Sequence, residues 1–427
     1  MPTSPQDDST PLAPGICPLP WVHFSVNTDT SLRVCCNTDH GGHIRDESGE
    51  PLHLSDIDSL AEAVNRPSIK QLRQQMMSGE RPDFCKSCYR IEDAGGTSVR
   101  QFYLRSFGSE LKAQLRETLD DGTAPGRVSY IDMSLSNNCN LKCRMCNPYA
   151  SYALKDDFDA CNLPYFQGGA ERANAGWKDE ARLLQIFTAS LETTNEILTT
   201  GGEPFLSKLH IKILENAVQS GASHHITLRY HTNLTLVPPR LVELWASFKA
   251  IEVHASIEAF GELNEYIRYP SSWETTRKNF EKLIELKGRL PLWIEVHTCF
   301  QAYGLLNIPE LLAFLKNYQS VVPAMPYFIR LSNPAHLAAD VLPIELQKLA
   351  RHKAWTYIDS HYRSLCRGPF GEFNREKIDI LMGHFSALKE QSPHWSEFVH
   401  YTNAIDRLRG QSIERLISPI QPFWPKA

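Results

Sequence analysis

The stretch Ser134-Leu-Ser-Asn-Asn-Cys139-Asn-Leu-Lys-Cys143-Arg-Met-Cys146-Asn decides the fold, and it spaces three cysteines as C-x3-C-x2-C. It continues directly from the apolar residues 128–135, which predict a buried strand. Such short spacings let one loop wrap its thiolates around a single metal centre. A zinc site in this loop requires a fourth Cys or His close by, and the next cysteine, Cys161, lies well outside it. Three thiolates therefore fit a [4Fe-4S] cube that keeps one iron without a protein ligand.

Composition narrows the class of protein further. The 427 residues include 42% hydrophobic and 22% charged residues, which is ordinary for a globular protein. A net charge of −5 argues against a nucleic-acid partner, which favours a clustered basic face. The sequence shows no membrane-spanning apolar run and no signal peptide, so we expect a cytoplasmic protein without a membrane partner. In a reducing compartment its eleven cysteines favour metal ligation over disulfides.

A second segment, Thr199-Thr-Gly201-Gly202-Glu203-Pro204, follows the next predicted strand. Glycines at such a position permit backbone angles closed to other residues and let peptide groups approach a ligand closely. An ordinary strand-to-helix turn would account for two glycines. It does not account for the full tetrapeptide after the cysteines.

The triplet and the Gly-Gly-Glu-Pro segment resemble the signatures of the radical S-adenosylmethionine (SAM) superfamily. The resemblance implies a [4Fe-4S] cluster on Cys139, Cys143 and Cys146, whose open iron chelates SAM. Reductive cleavage of SAM then gives methionine and a 5′-deoxyadenosyl radical, which takes a hydrogen atom from the substrate. The resemblance also implies cofactor-binding roles for Met145, Gly201, Gly202, Glu203, Pro204, Asn233, Ser256, Glu258 and Arg268.

Three of these assignments lie on later strand ends and differ partly from the superfamily pattern. The segment 231–235 resembles the "T-N-G" strand end, with Leu234 where glycine is common. The segment 256–260 resembles "S-I-D-G", with Glu258 in place of the usual aspartate. Arg268 belongs to a "Y-x-R-x-P" stretch and is expected to pair with Glu258, with a ligand carboxylate, or in a plain surface salt bridge.

Alternating strand and helix patterns after the triplet predict a parallel sheet with right-handed crossovers. Together with the resemblance they indicate an α/β fold, a partial (β/α)6 TIM-type barrel over residues 127–333. We expect a disordered tail over 1–14, an auxiliary-cluster domain over 15–100 and a linker helix over 101–126. A helical C-terminal extension is expected over 334–427. We also expect a helix near 60–77 and, from its polar composition, a loop-like segment over 149–176.

The N-terminal part gathers a further set of thiols. A predicted hairpin has Cys17 before its first strand and the adjacent pair Cys35 and Cys36 at the end of its second, and a C-x2-C pair, Cys85 and Cys88, follows. Four such ligands suit a structural zinc or a second iron–sulfur cluster. The arrangement resembles the twitch domain, a SPASM-related unit that carries an auxiliary [4Fe-4S] cluster. The family register favours Cys35 over Cys36 as the fourth ligand.

The predicted strands near 227–233, 252–258 and 293–299 alternate polar and apolar residues, although both faces of an ordinary parallel sheet are buried. Their shared polar face contains three histidines and three glutamates, and polar groups inside a barrel require partners or a ligand. We therefore expect a polar substrate. Cys299 on this face is a hydrogen-atom donor or, more simply, an inert buried thiol.

These patterns predict a radical SAM enzyme that abstracts hydrogen from a polar small molecule or a peptide side chain. The resemblance implies an oxidative reaction assisted by the auxiliary cluster and an external electron donor such as flavodoxin or ferredoxin. One alternative is a redox-neutral epimerase or isomerase with a structural auxiliary cluster. Another is a zinc-bound, non-catalytic binding module, which should have lost the triplet or the Gly-Gly-Glu-Pro segment.

Overall fold

A computed structural model describes residues 12–425 apart from 36, 39–41, 176, 178 and 389. The predicted disordered tail lies outside the described residues up to position 11, and so does Cys36. The strands are β1 (His23–Val26), β2 (Leu32–Arg33), β3 (Tyr130–Leu135), β4 (Glu196–Gly201), β5 (Thr227–Thr232), β6 (Ala250–Ser256), β7 (Leu292–Phe300) and β8 (Tyr327–Arg330).

Helices follow most of the strands. They are α1 (Leu19–Val22), α2 (Leu60–Ala63), α3 (Pro67–Met77), α4 (Lys86–Asp93), α5 (Val99–Leu115), α6 (Lys155–Ala160), α7 (Gln167–Ala175), α8 (Glu180–Thr188), α9 (Lys208–Gln219), α10 (Pro239–Trp245), α11 (Glu262–Ile267), α12 (Trp273–Leu286), α13 (Ile308–Lys316), α14 (Ile344–Leu365), α15 (Gly371–Ser386), α16 (Trp395–Arg409) and α17 (Ile413–Leu416).

The chain forms two compact units. The first unit contains residues 1–137, 168–229 and 247–249, and the second contains residues 138–167, 230–246 and 250–427. Strand β5 supplies residues to both. The strand order is β2-β1-β3-β4-β5 in the first unit and β5-β6-β7-β8 in the second.

In the first unit the N-terminal hairpin joins the sheet. Strand β1 pairs with β2 in antiparallel orientation and with β3 in parallel orientation, while β3 pairs in parallel with β4. A buried arginine, Arg73 on α3, connects this region because it donates to the carbonyl oxygens of Pro20, Val64 and Gly122 at 2.7 to 3.0 Å. Each of these buried acceptors thereby has a hydrogen-bond partner, as buried polar groups require.

In the second unit strands β6 and β7 run parallel, and β7 runs parallel to β8. Buried and half-buried residues alternate strictly along β6 and β7, as the sequence predicts. Phe300 at the end of β7 belongs to a core that continues into the C-terminal helices, where Ile358, Leu381 and Phe398 are fully buried. The C-terminal extension therefore shares one hydrophobic core with the rest of this unit.

The α/β fold with mainly parallel strands and a helical C-terminal extension is confirmed. One expectation from the sequence was wrong: residues 149–176 were predicted to be loop-like, yet they contain all of α6 and α7. The helix expected near 60–77 is divided into α2 and α3 because Pro67 occupies the first position of α3. No described helix combines the length and the apolar character required to span a membrane.

Candidate active site and cysteine pocket

The cysteine triplet lies on a loop whose backbone is bonded to the end of α11. The amide of Lys142 donates to the carbonyl of Tyr269 at 2.6 Å, and the amide of Arg144 donates to Ile267 at 2.8 Å. Within the loop the amide of Cys146 donates to the Cys143 carbonyl at 3.1 Å. These bonds fix the loop between its first and last thiols.

Arg144, between the second and third cysteines, is fully buried. Its Nη2 donates to Oδ1 of Asp406 at 2.5 Å and to Oε1 of Gln411 at 2.9 Å. The guanidinium also lies 3.5 Å from the ring centroid of Tyr266, within the range of a cation–π interaction. The Tyr401 hydroxyl donates to the Arg144 carbonyl at 2.7 Å. Helix α16 and the residues after it thus hold the loop from the C-terminal extension.

A second ion-pair network supports the same loop. The buried carboxylate of Asp157 on α6 accepts from Nζ of Lys142 at 2.6 Å and from Nη2 of Arg409 at 2.9 Å. The segment predicted to be a loop therefore contributes an anion that joins the triplet loop to α16.

The thiols of the triplet have different electrostatic surroundings. A hydrogen bond from Cys146, assisted by the nearby charge of Arg268, lowers the pKa of Cys143 to about 7 although burial acts in the opposite direction. The same hydrogen bond and burial raise the pKa of Cys146. Cys143 is therefore ready to bind metal as a thiolate near neutral pH.

Arg268 and Glu258 form a buried pair beside these thiols. Nη1 of Arg268 donates to Oε1 of Glu258 at 2.8 Å, and the side chains are 11% and 3% exposed. The other carboxylate oxygen of Glu258 accepts from the amide of Cys299 at 2.7 Å. The pair is thus an interior one, and of the partners considered for Arg268 the structure provides Glu258. Burial raises the pKa of the Cys299 thiol and so keeps it protonated, and its role as a hydrogen-atom donor or an inert thiol stays a prediction.

Asn233 also reaches the triplet. Its Nδ2 lies 3.8 Å from Sγ of Cys139 and donates to Oδ1 of Asn140 at 2.9 Å. The next residue, Leu234, has a φ of 58°, the left-handed region that glycine adopts readily. The substitution of leucine for the superfamily's common glycine therefore leaves a glycine-like backbone in place.

Ser256 ends β6, and Met145 packs half-buried against the core of the second unit.

In the first unit the Gly-Gly-Glu-Pro segment lies beside the end of β3. Gly201 has a φ of 108°, and a Cβ there would lie 2.6 Å from the backbone nitrogen and oxygen of Leu135. The amide of Gly202 donates to the carbonyl of Ser136 at 2.8 Å. Ser136 precedes Cys139 by three residues in the sequence. Glu203 is buried and accepts from the Phe205 amide at 3.1 Å, and Pro204 opens the turn that follows.

The four N-terminal cysteines line one pocket in the first unit. Cys17 precedes α1 and Cys35 follows β2, while Cys85 immediately precedes α4 and Cys88 lies in its first turn. The guanidinium of Arg100 lines the same pocket. Burial, together with the charges of the neighbouring thiols, raises the pKa of Cys17 and raises that of Cys85 to about 12. A cationic centre would offset both effects, so this donor set fits a metal or an iron–sulfur cluster.

Sequence reasoning missed the residues that support the triplet loop. Arg144 was visible within the motif, but its partner Asp406 is 262 positions further along the chain. The acidic and basic residues of α16 read as an ordinary amphipathic helix. No local pattern indicates that Asp406 and Arg409 face the cysteine loop.

Residues 133–308 match a family model described as the radical SAM superfamily. No curated protein matches the chain. Among solved structures, anSMEcpe with bound AdoMet and Cp18Cys peptide is 15% identical, with a TM-score of 0.37, over 55% of this chain and 61% of that chain. The chain thus spans about three fifths of the length of that protein. Streptococcus suis SuiB bound to S-adenosylmethionine is 12% identical, with a TM-score of 0.34, over 73% of this chain and 67% of that chain.

Residues 133–308 are therefore a radical SAM domain, and the resemblance inferred from the cysteine triplet and the Gly-Gly-Glu-Pro segment is confirmed at the level of the superfamily. Members of this superfamily use a [4Fe-4S] cluster and SAM. The matched range begins within β3 and contains the triplet and all the expected SAM-binding residues.

Gly201→Ala should destabilise the chain by about 1–3 kcal/mol, since alanine adds both an unfavourable φ and a contact with the β3 backbone. Thermal unfolding measures this change. Gly383→Ala is the control: no atom lies within 4 Å of the added Cβ and the residue lies within α15, so alanine should be neutral or slightly stabilising. Equal melting temperatures for Gly201→Ala and the wild type would contradict the tight approach of the two strands.

Asp406→Asn should lower the melting temperature and the iron content together, because it leaves the Arg144 charge buried without its carboxylate. Removing one partner of a buried pair typically costs about 3–5 kcal/mol. Unfolding curves and iron analysis of the purified protein measure both effects. Glu397→Gln on the same helix is the control, because Glu397 is exposed and pairs only with His394 at 3.0 Å. Wild-type iron content in Asp406→Asn would show that the loop does not depend on this contact.

Proposed function

We propose that this chain is a radical SAM enzyme that reductively cleaves SAM and abstracts a hydrogen atom from a polar small molecule or a peptide side chain. The observation that carries the proposal is the loop of Cys139, Cys143 and Cys146, which buried ion pairs hold in a radical SAM domain. Three thiols on one loop leave one iron of a [4Fe-4S] cluster open to SAM.

The residues around the loop perform the protein's share of this chemistry. When bound, the cluster and SAM supply a one-electron cleavage and a carbon-centred oxidant that removes a hydrogen atom. Cys143 binds as a thiolate because its pKa is about 7, and Arg268 places a positive charge beside it. The side chains of Cys143, Arg144 and Glu258 are buried, which shields Cys143 from water, while Cys139 and Cys146 are half-buried.

SAM recognition is assigned to residues that match the superfamily's motifs. Gly201, Gly202, Glu203 and Pro204 would hold its methionine portion, since the positive φ of Gly201 and the absence of side chains at both glycines expose peptide groups. Met145, Asn233, Ser256, Glu258 and Arg268 would line the remainder of the site. Asn233 is supported in this role by its position beside Cys139.

We further propose that Cys17, Cys35, Cys85 and Cys88 hold an auxiliary [4Fe-4S] cluster in a twitch-like unit. Their arrangement around one pocket supports this assignment. Four thiolates leave no open iron, so such a cluster would accept an electron from a substrate radical and make the overall reaction oxidative. Zinc is the competing occupant, and a redox-neutral epimerase or isomerase is the competing reaction.

The polar face of β6 and β7 supports a polar substrate. Glu252 and His254 alternate with buried apolar residues on β6, and Glu295 and His297 do so on β7. Lys377 of α15 pairs with Glu295, so this face carries charge that a polar substrate can contact. The electron for SAM cleavage would come from an external donor such as a flavodoxin or ferredoxin.

Replacing Cys139, Cys143 and Cys146 together by Ala should abolish 5′-deoxyadenosine formation under dithionite. Iron should fall from about eight per chain to about four, because the pocket would keep its cluster. Chromatographic detection of 5′-deoxyadenosine and iron analysis measure both. Cys161→Ala should match the wild type, since this thiol belongs to neither set. Retained 5′-deoxyadenosine formation in the triple variant would refute the assigned site.

Cys35→Ser should lose or degrade the second cluster, whereas Cys36→Ser should keep it. Neighbouring residues of an extended chain point to opposite sides, so we expect only one of the two thiols to serve as a ligand. Electron paramagnetic resonance of the reduced variants and metal analysis measure the outcome. Loss of the second signal in Cys36→Ser alone would reverse the ligand assignment. About four irons and one zinc in the wild type would replace the auxiliary cluster by zinc.

A further inference from the structure

Three histidines of the second unit converge on one point. His231 on β5, His254 on β6 and His297 on β7 each offer a ring nitrogen, and these three nitrogens all lie within 4.8 Å of one another. They meet because each occupies the polar face of a neighbouring strand, and the β6–β7 register sets Ser256 beside His297 and His254 beside Glu295. Among the described residues, this is the one group of three potential ligands that comes so close.

We propose that His231, His254 and His297 form a site for a single divalent transition metal, with zinc as the cation that suits it best. Three imidazoles and an open fourth position are the ligand set of catalytic zinc sites. The open position would bind an oxygen or nitrogen atom of a polar substrate. This site is separate from the cysteine clusters and does not rest on the proposed radical reaction.

The nitrogen spacing matches this role. Zinc–nitrogen bonds of about 2.0–2.1 Å at tetrahedral angles place two ligating nitrogens about 3.3–3.4 Å apart. Nδ1 of His254 and Nε2 of His231 are 3.3 Å apart. The third nitrogen lies within 4.8 Å of the other two, and the His297 ring must rotate out of its stack with His254 to reach the same distance.

Carboxylates lie on the far side of two of the rings. Oε2 of Glu252 is 4.0 Å from Nε2 of His254, the nitrogen opposite the one that faces His231. Oε1 of Glu295 is 3.9 Å from Nε2 of His297, and Lys377 in turn pairs with Glu295. Metal-bound histidines usually direct their second nitrogen to a carboxylate, which orients the ring and increases its basicity. Two of the three histidines, His254 and His297, thus have a carboxylate within 4.0 Å that could serve as an outer partner of a metal site.

A purely structural role, in which the histidines only form hydrogen bonds, explains less of this arrangement than a metal site does. A hydrogen bond between His231 and His254 uses one nitrogen of each ring and does not include His297. His254 and His297 stack with centroids 4.2 Å apart and an interplanar angle of 13°, so protonating both would bring two positive charges together. A metal keeps all three imidazoles neutral and uses all three nitrogens.

Zinc titration of the cluster-loaded protein tests the proposal. We expect one zinc per chain by metal analysis after dialysis, with iron content unchanged. In His231→Gln/His254→Gln/His297→Gln this zinc should be lost, and the single variant Glu252→Gln should bind it about 10- to 100-fold more weakly. His361→Gln is the control because His361 lies on α14 and bonds only the Tyr357 carbonyl of its own helix.

Cobalt identifies the ligands and covers the case in which the triple variant fails to fold. Co²⁺ in the wild-type protein should give visible d–d bands without a thiolate charge-transfer band, and His254→Gln alone should alter them. A thiolate band would assign the metal to the cysteines and overturn the proposal. Equal zinc stoichiometry and affinity in the wild type and in His254→Gln would overturn it as well.

Discussion

The buried ion pair between Arg144 and Asp406 is the interaction on which the cysteine loop depends. A guanidinium with no solvent exposure is tolerated only where its charge and its donors meet partners. Asp406, Gln411 and the ring of Tyr266 supply those partners, and two of them come from the C-terminal extension. Because Arg144 stands between two cluster cysteines, the same contacts that satisfy its charge also position the thiols. The C-terminal helices therefore support the cysteine loop.

The two cysteine sites differ in how their surroundings shift the pKa of the thiols. In the triplet, a hydrogen bond from Cys146 and the nearby Arg268 lower the pKa of Cys143. In the N-terminal pocket, burial and neighbouring thiols raise the pKa of Cys17 and Cys85, and Arg100 is a cation that opposes this. Cys146 in the triplet also has a raised pKa, so a bound cationic centre would offset the cost of ionising a thiol at both sites.

The sequence predicted those features of the molecule that depend on residues close together in the chain. The alternation along β6 and β7 indicated which residues face the core, and the short cysteine spacings indicated a loop that binds a cluster. Contacts between distant segments were not predictable: the parallel pairing of β1 with β3, and the reach of Asp406 to Arg144. Residues 149–176 were misjudged because their polar composition concealed α6, whose Asp157 is buried only through pairing with Lys142 and Arg409. Assignments of individual site residues stay predictions from the superfamily motifs.

The proposed metal sites of this chain differ in the type of ligand that they provide. Thiolates are soft ligands that suit iron–sulfur clusters, whereas imidazoles suit zinc and other divalent ions. Zinc also binds thiolates well, so cysteine sites that are not yet filled with iron compete with the histidines for it. The reverse competition is weak: three imidazoles without a thiolate are poor ligands for an iron–sulfur cluster. It follows that iron–sulfur assembly must precede or exclude zinc at the cysteines, after which His231, His254 and His297 are the remaining site of suitable geometry among the described residues.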